Sequence, residues 1–409
     1  MSVACLFSGL YCEADEITAK VLERTGMSLV SDRDVVARAA DLADMDTDRI
    51  AKAFFAGTSI FNKFTHEKER AISWLRLAVA RILDEGDNLL VHGFCSVLAP
   101  QSISHVLRIC VISGLKYRID VAERLGVTES EAKRHIKKGD EDRSAWVKSA
   151  VGHDDPWDSA LYDLVVPVDK FGPTKATENI VDHLTGAMLD PTGSSRTAAK
   201  DFLLAAQVET VLASAGHHVQ VESVGGAVTV IINKNVLMLE RLERELAEIA
   251  SGVAGVREVR TKVGPKFHQS DIYRKVDFEL PGKVLLVDDE REFVQTLSER
   301  LMLREMGSAV AFDGESALRL VDEDEPEVMV LDLKMPGIDG IEVLRNVKKS
   351  RPQVEVIILT GHGSEADRDE CMRLGAFAYL HKPVDFEVLS ETIKKAHAKA
   401  QTNTGSQSR

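Results

Sequence analysis

The chain has 409 residues and a formal net charge of −14, since 65 Asp and Glu outnumber 51 Lys and Arg. This acidic balance argues against nucleic acid as a partner, because a nucleic-acid-binding protein normally presents a basic face. No apolar run approaches the ~20 residues of a membrane-spanning helix, and the five cysteines are scattered without metal-site spacing, so we expect a cytoplasmic protein.

Two turn-rich segments divide the chain into blocks. Residues 189–195 (Leu-Asp-Pro-Thr-Gly-Ser-Ser) form the first, and residues 279–282 (Glu-Leu-Pro-Gly) form the second. Clusters of Pro, Gly and Ser of this kind mark the loops between folded segments. We therefore predict an α/β protein of three domains, followed by a disordered tail. The predicted boundaries are 1–190, 196–265, 282–400 and, for the tail, 401–409.

The N-terminal block has the pattern of an α/β domain. A short apolar run at residues 3–7 predicts a strand, and a helical stretch follows at 15–25. Further strands are predicted at 89–91 and 106–113, and a long, charged helical region at 117–150.

The second half of this block resembles the cytidylate-kinase-like family of P-loop phosphotransferases. The resemblance rests on Arg118, on Ala-Glu-Arg-Leu-Gly at 122–126, on Lys-Gly-Asp-Glu-Asp-Arg at 138–143 and on Leu-Tyr-Asp-Leu-Val at 161–165. It implies a helical lid whose basic residues clamp phosphates, a role suited to arginine. The residues in the comparable region are Arg118, Arg134 and Arg143.

The phosphate loop departs from that family. Such a loop needs glycines, whose backbone N–H groups can point at the anion, together with a cation. The matching segment, residues 11–15 (Tyr-Cys-Glu-Ala-Asp), has neither. Glu13, Asp15 and Glu16 instead place three carboxylates where phosphate oxygens would lie. Repulsion between two close charges near a protein surface is of order 4 kcal/mol, so this loop is expected to oppose nucleotide binding.

Two further positions bear on the activity of this block. Phe94 stands where the family has an arginine, which removes a cation on the substrate side, and the run Asp32-Arg33-Asp34 is expected to be charged surface. We therefore predict a kinase fold without multi-turnover activity. The lid arginines are then either solvated or serve a ligand that binds differently.

The middle block predicts the order helix, strand, strand, helix, strand. Apolar residues at 204–215 recur at helical spacing, and two alternating apolar segments flank the turn at Gly225-Gly226. A second helical stripe at 239–253 precedes a strand that begins near Val256. This αββαβ order, with Gly-Val-Arg-Glu-Val at 255–259, resembles the small BON domain of bacteria. That family is associated with lipid or partner binding, and we expect an α+β interaction module.

In the C-terminal block, polar groups follow the ends of four short apolar runs. Such runs are typical of buried parallel strands, and the C-terminal ends of parallel strands share the sheet edge at which ligands bind. We therefore expect the groups to converge. Clustered carboxylates favour a hard divalent cation such as Mg²⁺, and a carboxylate can accept a phosphoryl group as a nucleophile. The groups are Asp288-Asp289 after 284–287, Asp332 after 328–331, Thr360 after 354–359, and Lys382 after 376–380.

These motifs resemble the receiver domain of two-component response regulators, over roughly residues 282–400. The motifs are Val-Leu-Leu-Val-Asp-Asp-Glu, Leu-Asp-Leu-Lys-Met-Pro-Gly-Ile-Asp-Gly, Leu-Thr-Gly-His-Gly and Tyr-Leu-His-Lys-Pro, in that order. The resemblance implies a doubly wound (βα)5 fold, with Asp332 as phosphoacceptor and with Lys382 in contact with the phosphoryl group. It further implies Mg²⁺ held by Asp288, Asp289, Asp332 and the Lys334 carbonyl, and a conformational switch formed by Thr360 and Tyr379.

The resulting hypothesis is a response regulator phosphorylated on Asp332 by a sensor histidine kinase. With no basic helix after the receiver, we expect its output to pass through the kinase-like module, a protein partner or a second copy rather than through DNA. The contacting face is predicted to run from the helix at 364–374 to the helix at 385–399. Two alternatives stay open: an active cytidylate-type kinase regulated by its receiver, and a receiver that serves as a phosphate sink or shuttle.

Overall fold

The computed structural model describes residues 3–57, 59–186, 189–236, 238–265, 267, 280–361 and 363–407. Contacts divide the chain into two compact units, one of residues 1–58 and 67–275 and one of residues 59–66 and 276–409. Among the described residues, no helix is both long and apolar enough to cross a membrane.

The N-terminal block is a parallel sheet of five strands covered by helices. Alternate residues of its central strand pack into different apolar clusters, Cys5 and Phe7 in one and Ala4 and Leu6 in the other, so both faces of the sheet are buried. The strands are β1 (Val3–Ser8), β2 (Ser28–Ser31), β3 (Leu89–His92), β4 (Val106–Ile112) and β5 (Leu164–Pro167). The helices are α1 (Ala14–Thr25), α2 (Asp32–Ala43), α3 (Thr47–Ala51), α4 (Asn62–Thr65, in the second unit), α5 (Glu67–Glu85), α6 (Leu115–Arg124), α7 (Glu129–Val151) and α8 (Val168–Thr185).

The strand order β2-β3-β1-β4-β5 places β1 at the centre of this sheet. Val3 pairs with Leu89 of β3 on one side and with Val106 of β4 on the other. The chain fills the β3 side first and then crosses to the β4 side, so the direction of winding reverses at β1. In open α/β sheets such a reversal leaves a crevice beyond the C-terminal strand ends, and the loop after Ser8 lies at that position.

The middle block has the predicted order of elements. Strands β6 and β7 form an antiparallel hairpin, and β7 pairs in parallel with β8. Gly225 and Gly226 make the turn with φ of 57° and 84°, values that glycine adopts without steric cost. Its likeness to a BON domain remains a prediction. The elements are α9 (Gly193–Ser214), β6 (Gln220–Val224), β7 (Ala227–Ile232), α10 (Leu239–Ser251) and β8 (Glu258–Val263).

Helix α9 packs against both the middle block and the N-terminal block. It packs on α5, where Ala206 joins Leu77 and Ala80 in one apolar cluster. Its other buried residues, such as Val208 and Leu212, contribute to the core beneath β6 and β7. The two blocks therefore lie within one compact unit, and the predicted separation at residues 190–196 falls where this shared helix begins.

The C-terminal block is a doubly wound α/β fold, as predicted. Five parallel strands follow the order β10-β9-β11-β12-β13, and their alternating residues fill two apolar clusters on opposite faces. The strands are β9 (Val284–Val287), β10 (Ser308–Ala311), β11 (Val328–Leu331), β12 (Glu355–Thr360) and β13 (Ala378–His381). The helices are α11 (Arg291–Met302), α12 (Gly314–Glu323), α13 (Gly340–Ser350), α14 (Glu365–Arg373) and α15 (Phe386–Gln407).

The polar segment at 401–407 is helical, whereas we expected a disordered tail from residue 401. Helix α15 extends to Gln407. Its buried face continues through Ala396 to Ala400, and Gln401 Nε2 lies 2.9 Å from His397 Nε2 one turn earlier. Each residue added to an existing helix closes one further backbone hydrogen bond, which extends the helix beyond its apolar stripe.

Candidate functional site

Three carboxylates meet at the C-terminal edge of the second sheet. Asp288 and Asp289 follow β9, and Asp332 follows the neighbouring strand β11. One oxygen from each residue lies within 4.8 Å of the corresponding oxygens of the other two. Asp288 and Asp332 are buried and Asp289 is exposed, so the cluster is open to solvent on one side. A hard divalent cation fits this donor set, because such ions prefer carboxylate oxygens and retain water ligands.

Lys382, at the end of β13, is directed into this cluster. Its Nζ lies 2.7 Å from Asp288 Oδ2, 3.6 Å from Asp332 Oδ2 and 2.9 Å from Glu290 Oε1. The side chain is largely buried, and Nζ lies over the ring of Phe293, 4.6 Å from the ring centroid. The structure therefore brings together the three predicted acids and the predicted lysine.

The charges of this cluster are coupled. Burial raises the pKa of the Asp288 carboxyl, and repulsion from Asp332 adds to this, against the lowering effect of Lys382. Burial lowers the pKa of the Lys382 ammonium, but its hydrogen bonds to Asp288 and Glu290 outweigh burial, so the pKa is raised overall. The lysine therefore remains charged and compensates carboxylates that would otherwise repel each other.

The loop after β11 fixes the orientation of Asp332. The Leu333 amide donates to Asp332 Oδ1 at 2.7 Å, and Oδ2 faces Lys382. Gly340 closes the loop by donating to the Leu333 carbonyl at 3.0 Å, and a Cβ at this position would overlap the Asp332 carbonyl oxygen. Lys334, whose carbonyl was a predicted metal ligand, is an exposed residue of the same loop.

Thr360 and Tyr379 lie on the neighbouring strands β12 and β13. Thr360 is fully buried. The Tyr379 hydroxyl is enclosed and has no hydrogen-bond partner within the described parts of the chain. Gly363 lies close to both side chains. A Cβ at this position would overlap the Tyr379 hydroxyl and would come within 3.2 Å of Thr360 Cγ2. His362 of the predicted motif is outside the described residues.

A second candidate site is a cavity of about 590 Å³ at the C-terminal end of β1 in the N-terminal block. It lies where the winding reverses, beside the loop that stands in place of the phosphate loop. Its lining carries more carboxylates than cations. The apolar lining includes Phe7, Phe94, Val121 and Leu125, the carboxylates are Glu13, Asp15, Glu16 and Asp32, and the cations are Arg124 and Arg143.

The three predicted lid arginines have different environments. Arg118 is buried and makes two hydrogen bonds to Asp140, at 2.9 and 2.8 Å, and a third to the Leu10 carbonyl at 2.7 Å. Arg143 donates to the Ser8 carbonyl at 2.6 Å, and burial lowers the pKa of its guanidinium. Arg134 is exposed on α7 and is not part of the described cavity lining. The structure thus gives Arg118 and Arg143 partners within the chain and leaves Arg134 outside the described cavity lining.

Sequence reasoning missed the role of Asp32. We expected charged surface at residues 32–34, and Arg33 and Asp34 are indeed exposed. Asp32 instead accepts the amides of Phe94 and Cys95 at 2.7 and 2.8 Å, and burial raises the pKa of its carboxyl. The neighbouring Gly93, with φ of 122°, was a signal of close backbone approach, because a Cβ there would overlap the Asp32 carboxylate.

Comparison with known proteins identifies both α/β blocks. A family profile described as the response regulator receiver domain matches residues 284–394, and one described as the cytidylate kinase-like family matches residues 3–170. The C-terminal block is therefore a receiver domain, and the N-terminal block is kinase-like, as the sequence motifs predict.

Curated relatives match the receiver. The transcriptional regulatory protein CpxR of Klebsiella pneumoniae is 40% identical over 127 residues, which is 30% of this chain and 54% of that protein. CpxR of Escherichia coli K12 is 42% identical over 113 residues, 28% of this chain and 48% of that protein. The chain thus spans about half the length of these relatives. A solved receiver domain from Clostridium thermocellum shares 35% identity over 29% of this chain and 97% of that chain, with a TM-score of 0.29.

Proposed function

We propose that this protein is a two-component response regulator that accepts a phosphoryl group on Asp332 from a sensor histidine kinase. The observation that carries the proposal is the cluster in which Asp288 and Asp289 after β9 and Lys382 after β13 converge on Asp332 after β11. A capping role would account for a single aspartate after a strand. It does not account for three carboxylates within 4.8 Å of one another together with a largely buried lysine.

The proposed cofactor is Mg²⁺, held by Asp288, Asp289, Asp332 and the Lys334 carbonyl. The fit rests on the donor set, which consists of oxygen ligands around a cluster that is open to solvent on the Asp289 side. When bound, the ion would neutralise charge on the phosphoryl oxygens. It would also relieve the repulsion from Asp332 that adds to the effect of burial in raising the pKa of Asp288.

The proposed chemistry is a displacement at phosphorus. Asp332 Oδ2 attacks the phosphoryl group, so a P–O bond to the carboxylate forms while the P–N bond to the donor histidine breaks. The electron pair of that bond stays on the ring, and the imidazole, which already carries a proton on its other nitrogen, leaves as the neutral base. The amide of Leu333 keeps the carboxylate oriented through Oδ1. Lys382, 3.6 Å from Oδ2, supplies a positive charge to a phosphoryl oxygen. The product is an acyl phosphate on Asp332.

The proposed switch couples this event to Tyr379. Phosphate would draw the Thr360 hydroxyl toward Asp332, and Tyr379 would then rotate, a local change with a wider readout. Among the described residues the Tyr379 hydroxyl beside Gly363 has no hydrogen-bond partner, so rotation would allow it to form a hydrogen bond elsewhere. The output would pass through the face from α14 to α15, toward a partner protein, a second copy or the rest of the chain, in the cytoplasm.

We propose that the kinase-like block takes part in signalling without catalysing nucleotide phosphorylation. The support is electrostatic, because four carboxylates line the cavity beside the altered phosphate loop and only two arginines do. Both arginines already bind groups of the chain, Arg124 the Glu13 carboxylate and Arg143 the Ser8 carbonyl. A nucleotide would have to displace these contacts and approach a lining in which carboxylates outnumber arginines.

The test is phosphorylation of the full chain by a small phosphodonor in the presence of Mg²⁺. Wild type is expected to form an acid-stable, hydroxylamine-labile label, and Asp332→Asn is expected to form none. Asp322→Asn, the same substitution at an exposed position of α12, is the matched control and should label like wild type. Lys382→Ala should retain some label but lose the conformational response. Labelling of Asp332→Asn to the wild-type level would refute the assignment.

A further inference from the structure

We propose that the N-terminal block contains an anion-binding site that is occupied by the chain's own Glu13. The site is formed by Tyr117 and Arg124 on helix α6, which both donate hydrogen bonds to the Glu13 carboxylate. Glu13 thereby holds α6 against the loop that precedes α1. All of these residues lie in the N-terminal block, so the inference is independent of the phosphoryl chemistry proposed for Asp332.

The two donors are positioned by the helix itself. Tyr117 and Arg124 are seven residues apart, a spacing that places both on one face of an α-helix. The Tyr117 hydroxyl donates to Oε2 of Glu13, and Arg124 donates to Oε1 at 2.7 Å. Burial and the bond to Glu13 raise the pKa of the Tyr117 hydroxyl to about 12, so it remains a donor. Each carboxylate oxygen thus has its own partner on α6.

Glu13 makes this contact from an unfavourable backbone conformation. Its φ is 55°, in the left-handed region, which costs a residue with a side chain more than it costs glycine. Its side chain is only 10% exposed, although Asp15 and Glu16, which follow closely, are exposed. A charged residue in a disfavoured conformation, turned inward onto two donors, is explained by the ionic contact that it makes.

The other acids of this segment do not share that arrangement. The Asp15 side chain is fully exposed, with His92 at 4.0 Å, and Glu16 pairs with Lys20 within α1 at 2.5 Å. Within the described part of the segment, Glu13 is the acid that bridges to α6. The three acids predicted to repel phosphate therefore act differently, because Glu13 fills a cationic site while Asp15 and Glu16 add negative charge at its edge.

The groups that hold Glu13 indicate which class of ligand the site would bind. A carboxylate held by an arginine and a hydroxyl occupies a site suited to a small oxyanion. With Glu13 in place, such an anion is excluded, and removal of its side chain leaves Arg124 and Tyr117 to bind inorganic phosphate. Arg124 is 62% exposed, so the vacated site is reachable from solvent.

The experiment compares Glu13→Gly, Glu13→Gln and Glu16→Gln in the full chain by hydrogen exchange, with and without inorganic phosphate. Glycine suits the φ of 55° and removes the side chain, glutamine removes only the charge, and Glu16→Gln makes the same charge change outside the contact. We expect exchange in α6 to rise about tenfold in Glu13→Gly and less in Glu13→Gln. Exchange in Glu16→Gln should stay at the wild-type rate. Unchanged exchange in α5 would show that the variants are folded.

The second measurement is the effect of added inorganic phosphate on hydrogen exchange in α6. We expect added phosphate to restore protection of α6 in Glu13→Gly and to leave wild type unchanged. If α6 in Glu13→Gly exchanged at the wild-type rate, the proposal would be overturned. It would also be overturned if phosphate failed to protect α6 in that variant. Equal protection of wild type by phosphate would also overturn it, since the site would then not be occupied by Glu13. Labelling of Asp332 is expected to be the same in all four proteins.

Discussion

Nζ of Lys382 lies 2.7 Å from Oδ2 of Asp288, so the end of β13 meets the end of β9 across the sheet edge. These strands are not neighbours, because β11 and β12 lie between them. Their end groups can meet only because all five strands are parallel and present their C-terminal ends at one edge. In this contact the lysine compensates part of the negative charge that a divalent cation would otherwise neutralise.

Divalent cation binding is expected to stabilise the receiver. Mg²⁺ at about one hundred times its Kd should raise the free energy of opening of β11 by about 2.7 kcal/mol, measured from hydrogen exchange of its amides. Asp288→Asn should lose this response, whereas Asp322→Asn should keep it. A Mg²⁺ response of wild-type size in Asp288→Asn would contradict the proposed ligand set.

Asp288 is also expected to make the stability of the fold depend on pH when Mg²⁺ is absent. Burial, together with repulsion from Asp332, raises the pKa of Asp288 in the folded state. The protonated carboxyl therefore contributes stability that is fully present below the unfolded-state pKa of Asp288. This contribution is lost as pH rises through the folded-state pKa. Without Mg²⁺, Asp288→Asn is therefore expected to be at least as stable as wild type at neutral pH. Destabilisation of this variant near pH 7 would contradict that sign.

A methyl group at residue 363 is expected to displace Tyr379. Gly363→Ala places a Cβ in the space of the Tyr379 hydroxyl, and overpacking of this kind costs about 1–3 kcal/mol. The ¹⁹F signal of fluorotyrosine at 379 should shift in the unphosphorylated variant. Gly363→Ala combined with Tyr379→Phe lacks the overlapping oxygen and should regain most of the lost stability. An unshifted signal would show that Tyr379 is not confined by Gly363.

The full chain is expected not to phosphorylate CMP, dCMP or UMP with ATP. The physical reason is the excess of carboxylates around the cavity and the internal pairing of Arg118, Arg124 and Arg143. The measurement is a coupled assay of ADP formation, with a known nucleoside monophosphate kinase as positive control. Turnover within the usual enzyme range of about 1–10³ per second would support the receiver-regulated kinase instead.

Mimicking phosphorylation with beryllofluoride is expected to change exchange beyond the phosphorylation site. We expect altered protection in α14 and also in residues 198–263, because domains linked in one chain have a high effective concentration for each other. Asp332→Asn should show neither change. Changes confined to 282–400 would favour an external partner or a receiver dimer as the output.

The receiver was the most predictable part of the chain. Its strands β9, β11 and β12 are short and buried throughout, and the ends of these strands carry Asp288, Asp332 and Thr360. The site at Asp332 therefore follows from local pattern and parallel topology. In the N-terminal block the sequence showed that residues 11–15 lack glycine and cation. It could not show that Glu13 turns inward, because that depends on α6, which follows more than 100 residues later.

Two other features depended on tertiary packing. The turn at 189–195 suggested a domain boundary, whereas α9 starts within that segment and buries one face against α5 and another against β6. Asp32 was indistinguishable by sequence from its exposed neighbours, because its partners are backbone amides at residues 94 and 95. Such contacts leave no periodic signal in the sequence.

The most direct test of phosphorylation on Asp332 is to locate the acyl phosphate by mass spectrometry. The full chain is treated with a small phosphodonor and Mg²⁺ and then with hydroxylamine, which converts an aspartyl phosphate into a hydroxamate at the same residue. We expect a single hydroxamate, on Asp332, that requires both the phosphodonor and Mg²⁺. A hydroxamate on another residue, or none under conditions that phosphorylate a known receiver, would contradict this expectation.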